Sequence, residues 1–421
     1  MKNKKALMKI AAALSLVLAA AIIIPGLSTG EAATTSGGTS GASAIYSADD
    51  LFTSRDLEQE ADLSEATYYE LVSGQDIHIT SAGVYVISGT ASQTTVYVEA
   101  ADTDKVQIVL NGAFISNTGT PCIYVKEADK VFVTTAKDSS LTVSGQFTAD
   151  GDTNTDGAIF SKCDITLNGT ATLTVSSSDN GIVGKDDLKV TGGTYVIRAS
   201  SKCIEANDSI RISGGSFSLT AGTDALHTES DDSEKGYIYI GGGTLTVKAS
   251  DDGIHASSVV QIDGGDINIS AAEGIEATYI QLNGGTVTIY STDDGINAAQ
   301  KISGITPTVV INGGTVTVSV GQGDTDCIDS NGNIIINGGT VYCTGNSTFD
   351  YDGTGVINGG EVYINGSRVT SLPNQMMGGM GGMGGWGGMG GQGGWSGQGG
   401  WGNQGGRGGQ GGQGGRGGWG R

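Results

Sequence analysis

Positive charge is scarce in this sequence. Lys and Arg together number 22 against 44 Asp and Glu, so the formal net charge is −22 at pH 7. A polyanion of this kind does not bind nucleic acid electrostatically. The acidic balance therefore excludes nucleic-acid partners, and it indicates either a solvated acidic surface or the binding of cations.

Cysteine and histidine are also scarce, with five and three residues. No Ser-His-Asp or Cys-His arrangement lies in register with the repeats described below, and no spacing typical of a zinc site is present. Cys122, Cys203 and Cys327 each precede an isoleucine that the repeat pattern turns inward. Small residues occupy the same slot in other repeats, so the cysteines are predicted to be buried fillers and not disulfide partners.

The sequence has one long apolar run, Ile10–Ile24. It follows four lysines and precedes the small residues around Gly30 and Ala32. This pattern predicts a secretory signal peptide at 1–32 and no membrane span after its cleavage. We therefore expect a secreted, extracellular protein, with association at the cell surface as an option. Residues 33–47 are rich in Ser, Thr and Gly and predict a flexible linker.

Tryptophan is confined to one segment near the C-terminus. All four tryptophans lie within residues 371–421, where Gly-Gly pairs alternate with Met, Gln, Trp and Arg. A segment of this composition cannot bury enough apolar surface to fold, so it predicts a disordered tail. Sugar stacking or wall contact by the tryptophans is the alternative interpretation.

What the sequence has in abundance is a repeated Gly-Gly pair flanked by alternating apolar and polar residues. The first glycines of the pairs are Gly192, Gly214, Gly242, Gly264, Gly284, Gly313, Gly338 and Gly359. A period near 21 residues with occasional insertions is typical of a solenoid. Glycine turns the chain between strands because it adopts positive φ, and the Asn or Asp that often precedes the pair tolerates such angles too.

Three short strands per repeat, each too small to bury its face alone, predict an all-β solenoid: a parallel β-helix. Its variable period favours the right-handed form, with about eleven coils stacked at ~4.8 Å. We assign this β-helix to residues 48–370, followed by the tail at 371–421. Residues 48–76 are predicted to form an N-terminal cap, because an open solenoid end exposes strand edges.

Alignment of the repeats on one inward aliphatic residue places polar side chains in three columns. The first column lies two residues before the aliphatic residue and contains Asn180, Lys202, Asp224, Asp252, Glu273, Asp294 and Asp326. The second column lies directly after it and contains Val183, Glu205, His227, His255, Glu276, Asn297 and Asp329. The third column contains Asp179, Asp251 and Asp293.

Carboxylates stacked one strand spacing apart repel each other, so either their pKa values rise or cations bridge them. Oxygen ligands at flexible spacing favour Ca²⁺ over zinc or copper. The predicted Ca²⁺ ligands are Asp224, Asp251, Asp252, Glu273, Glu276, Asp293, Asp294, Asp324, Asp326 and Asp329. A merely solvated acidic face is the alternative. The segment 150–157 is similar to a calcium loop, although it lacks the glycine and glutamate of an EF-hand.

Lys202 is the one base in the first column, and it suggests two roles. A lyase that cleaves uronate polymers needs a base near its calcium, whereas a structural lysine would balance Glu205 and Asp224. The structural role is favoured, and Lys202 is a catalytic candidate only if the protein is a lyase. The predicted sugar-contacting residues are Lys202, Glu205, His227, His255 and Asn297.

Several motifs in fixed order carry a resemblance to a known family. They are Asp224-Ala-Leu-His227, the insert from Asp231 to Ile238, Asp251-Asp-Gly-Ile-His-Ala256, Glu273-Gly-Ile-Glu276 and Asp293-Asp-Gly-Ile-Asn-Ala298. Over Leu51–Val369 the chain resembles secreted bacterial carbohydrate-binding proteins with a pectate-lyase-like right-handed β-helix. The resemblance implies Ca²⁺ at the acidic turns, binding of acidic pectin (polygalacturonate) with cellulose as a further candidate, and kinship with polysaccharide lyases.

Calcium-dependent binding of an acidic plant cell-wall polysaccharide, without catalysis, is the function that the sequence favours. A polysaccharide lyase of the pectate-lyase type is the enzymatic alternative. A structural or adhesive protein of the cell surface is the third.

Overall fold

The structure is a computed structural model and describes residues 45–323 and 325–374. These residues form 34 strands and one four-residue helix, α1 (Ala48–Leu51). The predicted signal peptide 1–32, most of the linker and most of the tail lie outside the described residues, as does Asp324. Among the described residues, no helix is long and apolar enough to cross a membrane.

The strands follow one another with short turns. The first are β1 (Thr67–Glu70), β2 (Ile77–Ile79), β3 (Gly83–Ser92), β4 (Val96–Glu99), β5 (Lys105–Asn117), β6 (Ile123–Glu127), β7 (Lys130–Lys137), β8 (Ser139–Val143), β9 (Gly157–Ser161), β10 (Asp164–Gly169), β11 (Thr172–Ser177) and β12 (Asn180–Gly184). The next are β13 (Asp187–Val190), β14 (Thr194–Ala199), β15 (Ile204–Ala206), β16 (Ser209–Ile212), β17 (Ser216–Ala221), β18 (Leu226–Thr228), β19 (Tyr237–Ile240), β20 (Thr244–Lys248), β21 (Asp252–Ile262), β22 (Asp266–Ala271), β23 (Glu273–Leu282) and β24 (Thr286–Ser291). The last are β25 (Ile296–Ala298), β26 (Thr308–Ile311), β27 (Thr315–Val320), β28 (Ile328–Ser330), β29 (Asn333–Ile336), β30 (Thr340–Thr344), β31 (Phe349–Tyr351), β32 (Gly355–Ile357), β33 (Glu361–Ile364) and β34 (Ser367–Val369).

Parallel pairing with the equivalent strand of the next coil sorts the strands into three stacks, except β34, which pairs antiparallel with β33. Stack A contains β2, β4, β6, β9, β12, β15, β18, the first parts of β21 and β23, and then β25, β28 and β31. Stack B contains β1, the first parts of β3 and β5, then β7, β10, β13, β16, β19, the second parts of β21 and β23, and β26, β29 and β32. Stack C contains the second parts of β3 and β5, then β8, β11, β14, β17, β20, β22, β24, β27, β30 and β33. The predicted all-β parallel β-helix is confirmed.

The core consists of inward apolar columns that extend from coil to coil in every stack. In stack A the register runs Ile182, Ile204, Leu226, Ile254, Ile275, Ile296 and Ile328, all without solvent exposure. Cys122, Cys203 and Cys327 are buried free thiols beside this column, as the sequence predicts. The alternation of apolar and polar residues therefore sets the register that aligns the outward columns.

The Gly-Gly turns differ from the prediction in the residue that adopts positive φ. Positive φ occurs at the second glycine of each pair, for example Gly314 at 78°, and not at the Asn or Asp before the pair. Those residues form a side-chain ladder instead, because each amide donates to the residue one coil earlier. Asn312 Nδ2 donates to Asn283 Oδ1 at 2.7 Å, and Asn337 Nδ2 donates to Asn312 Oδ1 at 2.9 Å. From Asp263 to Asn358, the ladder satisfies polar groups at the corner of each coil.

The predicted cap at 48–76 divides into two parts. Thr67–Glu70 pairs with β3 and forms the first rung of stack B. Residues 45–59, which we call the strap, run instead along the outer side of stack B. Tyr46 stacks on Tyr237 at 4.3 Å between ring centroids, and Asp56 pairs with Lys189 at 3.1 Å. The strap lies on the flank and not over the end coil, because outward aromatic side chains there offer apolar surface to Ile45, Tyr46, Leu51 and Phe52.

Candidate functional site

The polar columns predicted from the repeat alignment lie on the outer side of stack A. The observed register of the second column runs Val183, Glu205, His227, His255, Glu276, Asn297 and Asp329. In the first column, Asp252 pairs in register with Glu273. The sequence thus places both columns correctly, since every inward aliphatic residue lies in the predicted slot.

Three predicted ligands come close together at the turn into β18 and β21. One carboxylate oxygen from each of Asp224, Asp251 and Asp252 lies within 4.8 Å of the others. Asp224 and Asp252 are buried and Asp251 is exposed. Burial, together with the charges of Asp224 and Glu276, raises the pKa of Asp252 although His255 bonds to it. This all-oxygen cluster has the donor set that suits Ca²⁺.

A hydrogen bond inside the cluster also serves the fold. The backbone N–H of Asp252 donates to Asp224 Oδ1 at 3.1 Å, and the N–H of Asp326 donates to Asp294 Oδ1 at 2.7 Å. The same bond, Lys202 N–H to Asn180 Oδ1 at 3.0 Å, occurs where the first column holds an amide. In these three coils the first-column side chain therefore supports the turn of the following coil.

His255 balances a second group of acids one coil further. Its Nδ1 lies 2.6 Å from Asp252 Oδ2 and 3.0 Å from Glu276 Oε2. Burial opposes the charged ring, but these two carboxylates raise the pKa of His255 to about 9. Lys301 Nζ adds a contact of 2.6 Å to Glu276. His255 thus pairs with both Asp252 and Glu276, and Glu276 has Lys301 as a second cationic partner.

His227 repeats this arrangement one coil earlier. Its Nδ1 lies 2.8 Å from Asp224 Oδ2, and its ring stacks on that of His255 with centroids 4.7 Å apart. Burial would raise the pKa of Asp224, but the hydrogen bond and charge of His227 hold that pKa below its usual range. Both predicted sugar-contacting histidines thus lie at one place on the outer side of stack A.

The remaining acids among the described residues extend along the column without converging on one point. Burial and the charges of Glu276, Asp252 and Asp294 raise the pKa of Glu273 to about 8, although Asn297 Nδ2 donates to it at 3.1 Å. Burial and neighbouring acids likewise raise the pKa of Asp329 to about 7. Asp293 is exposed. The column therefore contains repelling carboxylates, which is the condition that favours a bridging cation.

A shallow cavity of about 270 Å³ adjoins His227. It is lined by Glu205, Ala206, Asn207, His227, Glu229, Ser230 and Asp231. Lys202 Nζ lies 3.5 Å from Glu205 Oε2, and Asn180 Nδ2 donates to the same oxygen at 2.9 Å. The cavity thus combines two predicted sugar contacts with the insert after β18. Lys202 pairs with Glu205, one of the two acids that a structural lysine was predicted to balance.

The second column continues beyond the predicted residues at both ends. Asp350 follows Asp329 in register. In the early coils the positions are aromatic, namely His78, Tyr97, Tyr124 and Phe160. Sequence reasoning missed both extensions. An aromatic residue, Phe349, replaces the aliphatic marker in the last coil, and the early coils lack the Gly-Gly pair, so alternation alone was the available signal.

Comparison with known proteins identifies the family. A family model described as carbohydrate-binding domain-containing protein matches residues 73–353. A protein of that name from Acetivibrio thermocellus is 36% identical over 133 residues, which are 30% of this chain and 46% of that protein, so the match spans less than half of the relative. A solved structure titled as the polysaccharide lyase-like protein from C. thermocellum, gadolinium derivative, is 30% identical and covers 50% of this chain and 93% of its own, with a TM-score of 0.47. That score supports no further conclusion, and the fold rests on the strand pairing itself. The extent of the family match shows that the chain belongs to the carbohydrate-binding domain-containing protein family.

Proposed function

We propose that this protein binds an acidic plant cell-wall polysaccharide of the polygalacturonate type through Ca²⁺ held on the outer side of stack A, without cleaving it. The observation that carries the proposal is the convergence of Asp224, Asp251 and Asp252 within 4.8 Å. Membership of a carbohydrate-binding family supplies the class of partner. The repelling carboxylates of the first and second columns, which we call the acid columns, are the reason that a cation is needed.

Charge explains why a cation is needed between the two partners. The chain carries a formal charge of −22, and a polyuronate is itself an anion. Direct contact would be repulsive, so affinity for an acidic polymer requires a positive ion at the interface. Ca²⁺ takes six to eight oxygen ligands, so the three carboxylates leave positions for sugar carboxylates or water.

The proposal gives the surrounding residues separate roles. Asp224, Asp251 and Asp252 would hold the ion, and Glu273 in the next coil extends the same row of oxygens. His227 and Glu205 line the adjoining cavity, where their polar atoms could hydrogen-bond sugar hydroxyls. A polysaccharide that runs along the solenoid axis would meet one set of these groups per coil, which favours an extended chain over a single sugar. Neutral cellulose carries no charge, so its binding would not need the ion.

A lyase remains the enzymatic alternative, with Lys202 as its candidate base. The contact of Lys202 with Glu205 at 3.5 Å supports the structural role instead. Incubation with polygalacturonate and Ca²⁺ while the ultraviolet absorbance of unsaturated uronates is followed decides between them. We expect no growth of absorbance; a steady increase that disappears in Lys202→Ala would overturn the proposal of binding without catalysis.

The proposed location is extracellular, with the signal peptide at 1–32 removed. A protein that acts on plant cell-wall polymers must meet them outside the cell, and the lysines before Ile10–Ile24 support export. A purely adhesive role would require that residues 371–421 alone attach the protein to cells and that the β-helix binds no glycan. Cell-binding measurements on the full chain and on a chain ending at residue 374 separate these two possibilities.

Calcium binding is tested by thermal unfolding. An ion that binds only the native state stabilises it by mass action, about 2.7 kcal/mol at a hundredfold excess over Kd. We expect the melting temperature to rise with Ca²⁺, to fall back with chelator, and to lose this response in the double variant Asp251→Asn, Asp252→Asn. The exposed pair Glu58→Gln, Glu60→Gln is the charge-matched control. A melting temperature that neither Ca²⁺ nor chelator moves would contradict the proposal.

A further inference from the structure

Two of the five cysteines face each other inside the core, near the C-terminal end of the described solenoid. Cys327 directly precedes β28 in stack A, and Cys343 lies on β30 in stack C. Both are free thiols, and their residues are 0% and 1% exposed. The strands β28, β29 and β30 form one coil, which is followed in the described residues by the coil of β31, β32 and β33. The pair therefore spans the inside of one coil close to the end.

The repeat shows that these two positions contact each other. Gly274, two coils earlier, occupies the place of Cys327 in stack A. Ile289 occupies the place of Cys343 in stack C. A Cβ at Gly274 would lie 2.5 Å from Cγ2 of Ile289. The Cβ of Cys327 is therefore directed at the side chain of Cys343.

The contacts of the Cys327 sulfur place it at the same point. Its Sγ lies 3.8 Å from the carbonyl oxygen of Val318, the residue that pairs in register with Cys343. A Cβ at Gly345, two residues after Cys343, would lie 3.7 Å from this sulfur. A hydrogen bond with Cys327, together with burial, raises the pKa of the Cys343 thiol well above its usual range. The two sulfur atoms are neighbours, as a disulfide requires.

Cys203 has the same surroundings but a different facing residue. It occupies the place of Cys327 five coils earlier, and its Sγ lies 3.8 Å from the carbonyl oxygen of Ile197. The residue that pairs in register with Ile197 is Leu219, which stands where Cys343 stands in the later coil. Cys203 is therefore a matched control for the pair.

We propose that Cys327 and Cys343 form a disulfide that closes this coil when the protein meets an oxidant of the small-molecule disulfide class, such as glutathione disulfide. The thiolate of one cysteine attacks the oxidant and releases one glutathione, and the second cysteine then attacks the mixed disulfide and releases the other. Two protein thiols are thereby oxidised to one sulfur–sulfur bond. The oxidant is reduced to two thiols, which take up the two protons.

The burial of the pair determines when the reaction takes place. A small-molecule oxidant reaches these sulfurs while the chain folds or while the last coils open, and not in the closed core. The repeat alignment predicted a filler role for Cys327 because it compares positions within one stack, whereas Cys343 lies in another.

The disulfide would act on the end of the solenoid. An end coil has a neighbour on one side alone, so opening starts there. A bond between β28 and β30 removes conformations from the unfolded chain and holds the coil closed. This role goes beyond carbohydrate binding and does not depend on calcium.

Refolding of the full chain from urea in a glutathione redox buffer tests the proposal, because every thiol is accessible before the core closes. We expect titration under denaturing conditions to find three of the five thiols free. Digestion on the N-terminal side of aspartate places the two cysteines in separate fragments, 326–328 and 329–349, which should stay linked until a reductant is added. Protein refolded in excess reductant should melt a few degrees lower.

Each variant uses a residue that the same place holds in another coil. Cys327→Ala copies Ala225, which is fully buried. Cys343→Val copies Val318. In both variants four thiols should be free, and the two refolding conditions should give the same melting temperature. Cys203→Ala should keep the linked fragments and the difference in melting temperature.

Three results would overturn the proposal. The first is five free thiols in the wild type after refolding with glutathione disulfide. The second is a linkage of Cys327 to a cysteine other than Cys343. The third is a difference in melting temperature between the two refolding conditions that persists in Cys343→Val.

Discussion

At the scale of single residues, the carboxylate of Asp56 fastens the strap to stack B. The side chain is fully buried, where it contacts Lys130 and lies 3.1 Å from Lys189 Nζ. Burial alone would raise the pKa of Asp56, but the hydrogen bonds from Lys130 and the Thr53 N–H, with the charges of both lysines, hold it well below its usual range. The stability that this charge contributes is thus present at neutral pH and is lost as the solution is acidified through that lowered pKa.

Replacement of Asp56 by Asn should destabilise the fold by about 3–5 kcal/mol at pH 7, because two buried lysines lose their partner. Urea unfolding measures the change. Glu58→Gln, an exposed acid two residues away, should change the free energy of unfolding by less than about 0.5 kcal/mol. An Asp56→Asn protein as stable as the wild type would show that the strap contributes little to the fold.

The contribution of Asp186 to stability changes with pH in the direction opposite to that of Asp56. Burial, a hydrogen bond with Asp208 and the charge of Asp164 raise its pKa to about 7. The native state therefore binds this proton more tightly than the unfolded chain, and stability falls as pH rises from about 4 to 7. Asp186→Asn should be about 1–2 kcal/mol more stable than the wild type at pH 8 and nearly equal at pH 4. Urea unfolding at both values checks this, with the exposed Asp102→Asn as control.

At the scale of elements, the second glycine of each Gly-Gly pair determines how closely the coils stack. Gly314 has φ of 78°, and a Cβ there would lie 2.6 Å from the carbonyl oxygen of Gly285 in the preceding coil. Gly304 also has positive φ, 88°, but a Cβ there would meet no atom within 4 Å. A comparison of alanine substitutions at the two glycines therefore distinguishes the cost of backbone strain from the cost of steric contact between coils.

Gly304→Ala should cost about 1 kcal/mol for the positive φ alone. Gly314→Ala should cost about 2–4 kcal/mol, because the clash with the neighbouring coil is added to that strain. Chemical denaturation of both variants measures the difference. Equal losses would mean that the coils separate easily at their corners.

The sequence predicted those elements that repeat. Period-two alternation and the Gly-Gly spacing are local signals, so they located the strands, the inward column through Ile254 and Ile275, and the register of Glu205 to Asp329. The strap was not predictable in position, because its contacts with Gln261 and Tyr237 span about half of the chain and leave no period. The ion pair of His255 with Glu276 likewise depends on the distance between two coils, which only the structure gives.

At the scale of the whole molecule, the three stacks of the described solenoid have three different outer sides. Stack B carries the strap, stack A carries the columns of acids, and the outward positions of stack C are mostly Ser and Thr. Each side is a set of columns, and successive residues of a column lie one strand spacing apart. A change of residue type along a column therefore changes the surface chemistry without changing the fold. An extended polymer matches such a surface, because both repeat along one axis.

Retention on immobilised polygalacturonate tests the central claim most directly. We expect the protein to be retained with Ca²⁺ and released by excess chelator. The variant in which Asn replaces Asp251, Asp252, Asp293 and Asp294 should be retained poorly even with Ca²⁺. A variant with the same change in charge on and after the strap should be retained fully; its substitutions are Glu58→Gln, Glu60→Gln, Asp62→Asn and Glu65→Gln. Undiminished retention in excess chelator would contradict a calcium bridge and would assign the affinity to neutral contacts with the sugar.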